Sequence, residues 1–167
     1  MRVCRPRLRR LPGSDILSPM ADRREPIRKT PAEILDDLVD GHRDALAGGH
    51  EAGKKYLLKF SERNASLPNA VKFFLCDMLA EDAFKADDIE TCRAAVAQAL
   101  VHIPAARADM VQQFRRYGTS IRLFERGIAM AMDDGDFEAA LHLCGEATAL
   151  GLGPVYDAKR ASIERRM

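Results

Sequence analysis

The side chains best suited to chemistry in this 167-residue chain crowd around one glycine: Arg115, Arg116, Tyr117, Arg122 and Arg126 flank Gly118. Guanidinium groups grip carboxylates and phosphates through paired N–H donors, and a tyrosine ring adds a stacking surface. Histidine and cysteine offer less. His142 and Cys144 stand two apart, roughly 200° around a helix, and cannot clamp one metal from one face. His42 and His50 flank the Gly48-Gly49 pair, where a shared metal needs a third ligand that spacing does not supply. They read as surface or capping histidines. The run Asp133-Asp134-Gly135-Asp136-Phe137-Glu138 is acidic enough for calcium. Its glycine is misplaced for an EF-hand, however, and no Glu closes the loop, so its acids read as a helix cap. Phosphate-binding loops, nucleophile elbows and H-E-x-x-H motifs are absent from the sequence. Without a paired acid–base constellation the chain is not expected to be an enzyme, and neither metal nor cofactor is expected.

The elements that must position these residues are helices. Thr30-Pro31-Ala32-Glu33 combines a capping hydroxyl, proline at the first helical position and glutamate at the capping-box position. Ile34, Leu35, Leu38, Val39, Ala45 and Leu46 follow at helical spacing until Gly48-Gly49. A second helix is expected over 51–64 on Tyr56, Leu57 and Phe60. A third opens at Ser66 and Pro68, with Val71, Phe74, Leu75, Met78 and Leu79 as its stripe. Asp87-Asp88 starts a fourth that Pro104 ends, and a fifth then runs to Gly118. Thr119 caps a sixth through Ile121, Phe124, Ile128 and Met132, Gly135-Asp136 begins a seventh, and Gly153-Pro154 precedes a short last one. No segment alternates with period two. The expected fold is therefore all-α, with seven to eight antiparallel helices stacked as hairpins over residues 30–167.

Charge sets the first residues apart. Residues 1–31 hold nine Arg or Lys against three acids, a net +6, whereas the remaining chain holds 17 basic and 22 acidic residues. With Pro6, Pro12, Gly13, Pro19 and Pro26, residues 1–29 read as a disordered basic leader, and Met20 offers an alternative start. No apolar core of a secretory signal is present there, and no run reaches the ~18–20 apolar residues of a membrane span. Cys4, Cys76, Cys92 and Cys144 show no C-x-x-C spacing, and Cys92 and Cys144 fall on apolar stripes, as free thiols in a cytoplasmic protein do. The acids Asp36, Asp37, Asp40 and Asp44 form a solvated face on the first helix.

Two stretches share a pattern. Asp87-Asp88-Ile89-Glu90-Thr91-Cys92 with Ala99 and Pro104 parallels Gly135-Asp136-Phe137-Glu138-Ala139-Ala140 with Ala147 and Leu152. The acidic turn, the small residues Cys92 or Ala140 and Ala99 or Ala147, and Pro104 resemble the second helix of tetratricopeptide (TPR-like) repeats, over about 75–104 and 119–152. The first-helix aromatic and the Leu-Gly pair of that family are missing, apart from Phe124 and a displaced Gly127. The copies lie 48 residues apart, from Asp87 to Gly135, against the family's ~34.

The resemblance implies a small helical-repeat interaction module, an adaptor or chaperone-like protein. It would hold a protein or peptide, acidic in character, in a groove between hairpins. The binding residues expected from the sequence are Arg115, Arg116, Tyr117, Arg122 and Arg126, with Lys72 as a further donor and Phe73 as an apolar anchor off the core stripe. The competing reading is a nucleic-acid-associated accessory protein, in which the basic leader and the Arg115–Arg126 cluster meet phosphates. The net negative body argues against it.

Overall fold

A computed structural model of the chain describes residues 29–64, 66–112 and 121–167. Among the described residues there are seven α-helices and no strand: α1 (Pro31–Leu46), α2 (His50–Arg63), α3 (Asn69–Lys85), α4 (Ile89–Gln112), α5 (Leu123–Asp133), α6 (Phe137–Ala149) and α7 (Val155–Glu164). The fold is all-α, as the helical spacing predicts. Residues 1–28 of the leader, Gly118 and Thr119 lie outside the described residues.

Helix α1 begins as its sequence dictates. The Thr30 hydroxyl accepts the Glu33 amide at 3.3 Å, and the Glu33 carboxylate accepts the Thr30 amide at 2.7 Å. The chain then stacks as three hairpins, α1–α2, α3–α4 and α5–α6, with α7 against α6. Helices α1, α3 and α5 also form a row, because α3 touches both α1 and α5. Helix α3 is the centre of the molecule and is apolar nearly all round: Ala70, Val71, Phe73, Leu75, Ala80 and Ala83 are among its buried residues. A helix of that composition must be surrounded, and four others surround it. Phe73 is fully buried, so it is a core residue and not the exposed anchor expected from the stripe. Cys92, Ala99, Ala140, Cys144 and Ala147 are fully buried at helix contacts, as their small size suggests.

Pro104 does not end a helix. Helix α4 runs through it for 24 residues, merging most of the expected fifth helix into the fourth. The proline removes one amide and leaves the carbonyl of Leu100 without its usual donor. Pro104 is exposed, so water can take the donor's place.

The turns α3–α4, α5–α6 and α6–α7 repeat one geometry. The Asp88 amide donates to Ala83 O at 2.8 Å and Asp87 to Phe84 O at 3.2 Å. Asp136 donates to Ala131 O at 2.8 Å and Gly135 to Met132 O at 3.2 Å, and Leu152 and Gly151 do the same to Ala147 and Thr148. This is the Schellman closure, and it needs a left-handed residue at its corner. Gly135 supplies it at φ 74°, whereas Asp87 adopts φ 60° with a side chain in place. A left-handed L-residue costs ~1–2 kcal/mol, less for aspartate, and glycine returns part of that gain to the unfolded chain. Asp87→Gly is therefore expected to raise stability by about 0.5–1 kcal/mol, read as a higher urea midpoint with an unchanged slope.

Past the first two of these corners an aspartate caps the next helix. Asp88 Oδ1 accepts the Thr91 amide at 3.1 Å and Asp136 Oδ1 accepts the Ala139 amide at 2.9 Å. Lys54 of α2 donates to Asp88 at 2.7 Å, and that bond with the Thr91 amide holds the Asp88 carboxyl down to about 2. No helix among the described residues is long and apolar enough to cross a membrane.

Candidate functional site

This row of helices encloses a cleft of about 230 Å³ between α1, α3 and the residue preceding α5. Its wall is apolar: Leu35, Val39 and Leu46 from α1, Phe74 and Met78 from α3. Its polar lining is His42, His50, Asp77, Glu81, Asp82 and Arg122. Three acids on one helix face of a mostly apolar helix require partners, and each finds them on a different element.

Asp82 is 1% exposed. One carboxylate oxygen meets His42 Nε2 of α1 at 2.6 Å, and the other meets His50 Nδ1 of α2 at 2.9 Å. Three helices are pinned at one side chain. Gly53 of α2 makes room for it, because a Cβ there would collide with Asp82 Oδ2. A carboxylate only accepts, so Nε2 of His42 and Nδ1 of His50 carry the hydrogens. The expectation of surface or capping histidines fails for His42, which is 9% exposed and held in the core by a carboxylate 40 residues away. Among the described residues no group of three His, Cys, Asp or Glu side chains could hold a metal.

Asp77 caps a helix from outside it. Its Oδ1 accepts the Arg122 amide at 2.9 Å and the Leu123 amide at 2.7 Å, the first free donors of α5. The expected cap, Thr119, lies four residues upstream of where α5 begins. Burial pushes the Asp77 carboxyl up to about 6, against the lowering effect of the two amides. The folded protein thus holds this proton more tightly than the unfolded chain, so stability is lost as pH rises from about 4 to about 6. An asparagine side chain here would keep the carbonyl acceptor without the charge. Asp77→Asn is expected to flatten that part of the urea-midpoint profile and to exceed wild type at pH 7 by about 2 kcal/mol.

Glu81 faces Arg126 of α5. The guanidinium donates from Nε at 2.6 Å and from Nη2 at 3.0 Å, and it lies 4.4 Å above the Phe84 ring. This two-point bond holds the Glu81 carboxyl below its ordinary range and the Arg126 guanidinium above its own. Residues 77 and 122–123, then 81 and 126, meet in the same order, so α5 runs parallel to α3.

Of the five residues singled out by sequence, Arg115, Arg116 and Tyr117 lie outside the described residues. Arg126 sits half-buried against α3 with its donors engaged, which differs from the exposed setting expected of it. Arg122 is exposed at the cleft's edge, and its Nη1 donates to Glu125 at 3.2 Å. Lys72 lines a separate pocket with Cys76 and His102. There burial raises the Cys76 thiol to about 11, which leaves it unreactive. Sequence reasoning missed Asp77, Asp82 and Glu81. The available signal was three acids inside a helix that is otherwise largely apolar, where an unpartnered charge is costly. No family model, curated protein or solved structure matches the chain.

Proposed function

We propose that the chain is a small helical-repeat interaction module, with TPR-like packing of its hairpins, that binds a peptide segment of another protein in the cleft between α1, α3 and α5. The observation that carries this reading is the cleft itself: an apolar wall on one helix row, open to solvent, with a few polar groups in its lining. Stacked hairpins present such a face, and repeat proteins bind extended partners along it. The recurring turn and the contacts α1–α3–α5 support the repeat description. The 48-residue spacing follows from α4, whose 24 residues overrun a regular second helix.

Binding is favoured over covalent chemistry because the Asp82 and Glu81 carboxylates of the lining are already engaged by His42, His50 and Arg126. Val39 is half-buried on the cleft wall, so a larger side chain there fills the cleft without disturbing the core. A displayed peptide library panned on the full chain should yield binders that Val39→Trp no longer captures while its thermal midpoint stays near wild type. Binders that ignore Val39→Trp, or no binders, would place the binding surface elsewhere.

A further inference from the structure

Two acceptors on residues lining the cleft have no hydrogen-bond partner among the described residues. Asp77 uses Oδ1 for both α5 amides, and its Oδ2 bonds to nothing among the described residues. His42 donates through Nε2 to Asp82, so its Nδ1 carries a lone pair, and that nitrogen also bonds to nothing among them. Both residues line the cleft and both are more than nine-tenths enclosed, at 7% and 9% exposure. Neither atom is sealed away from solvent, because among the described residues no fully buried side-chain nitrogen or oxygen lacks a partner. They are therefore acceptors open to solvent on two residues that line an apolar cleft.

The chemistry that completes them is a donor with positive charge on an apolar stem. An acidic or carbonyl-bearing group would bring a third acceptor to two existing ones. A neutral alkyl group would leave both unsatisfied. An ammonium offers three N–H donors and opposes the negative charge of Asp77. Among the described residues no cation hydrogen-bonds to either atom: Arg126 is engaged by Glu81, and Arg122, whose charge reaches Asp77 only at a distance, donates to Glu125. His50 is bound to Asp82. The methylenes of a lysine stem suit the wall formed by Leu35, Val39, Phe74 and Met78.

We propose that the cleft is a lysine-recognition site for a peptide partner, the side-chain ammonium seated between Asp77 Oδ2 and His42 Nδ1. This rests on the peptide-binding reading and specifies its anchor. The upward displacement of the Asp77 carboxyl through burial is consistent with it, since a cation at that position would relieve the same cost.

The test titrates the isotope-labelled full chain, by amide resonance shifts, with n-butylammonium, butan-1-ol, and an N-acetylated pentapeptide carrying a central lysine between leucines. A second peptide carries acetyl-lysine instead. The expected result is saturable shifts around Val39, His42 and Asp77 with butylammonium but not butanol. The lysine peptide should bind at least about tenfold more tightly than butylammonium, and acetylation or Asp77→Asn should each weaken it by about tenfold or more. The asparagine substitution keeps the cap on α5, and Val39→Trp, which closes the cleft from outside, is the second variant. Equal binding of butanol, or indifference to Asp77→Asn, overturns the ammonium assignment. A peptide that binds no better than butylammonium overturns the peptide source in favour of a small free amine. Cleft-dependent library peptides that lack lysine would overturn this inference while leaving the peptide-binding reading standing.

Discussion

Phe73→Ala is expected to destabilise the protein by about 3–5 kcal/mol, the usual cost of truncating a fully enclosed aromatic ring. Phe73 is 0% exposed and meets Phe74 edge-on, with ring centroids 5.5 Å apart and planes at 81°. It lies on the helix that contacts α1, α2, α4 and α5, so the void opens where no single neighbour can collapse into it. For a chain of this length the loss corresponds to a thermal midpoint lower by roughly 6–20 °C. A midpoint within a few degrees of wild type would place Phe73 on the surface, as a single-stripe view of α3 has it.

Asp82→Ala should cost about 2–4 kcal/mol through two additive losses. The Nε2 hydrogen of His42 is left enclosed without an acceptor, and the volume beside Gly53 is left empty. Asp82→Asn keeps one acceptor and should cost about half as much. His50→Ala should cost under about 1 kcal/mol, because that imidazole is already 44% exposed and well solvated. Urea unfolding of the three variants orders them. If Asp82→Ala and His50→Ala were equivalent, the carboxylate would not be the pin between α1, α2 and α3.

The helices are legible wherever the signal is local. Thr30 and Glu33 announce the start of α1, Gly48-Gly49 separates α1 from α2, and Asp136 caps α6 as its position suggests. What fails depends on the third dimension. Pro104 reads as a terminator in sequence, yet exposure of its side chain lets α4 continue. A single inward stripe on α3 puts Phe73 outside, whereas the helix is enclosed on all sides. The site is less legible still. Asp77 and Asp82 take their partners from 32 to 46 residues away, a distance no motif spans. The arginines around Gly118 draw attention because they cluster in sequence, but Arg126 binds Glu81 of the central helix.

The central placement of α3 also governs how the molecule comes apart. Its four neighbours hold it from every side, whereas α7 rests chiefly on α6, and α6 on α5 and α7. Order is thus graded along the chain: the carboxyl-terminal helices can open as a unit while the pinned trio of α1, α2 and α3 stays shut. Most contacts join neighbours in sequence, a low-contact-order topology that lets each hairpin close before the next is needed. The cleft, whose wall belongs to α1 and α3, therefore sits in the most heavily contacted part of the molecule. Fraying of α6 and α7 leaves it intact, because neither helix contributes to its lining.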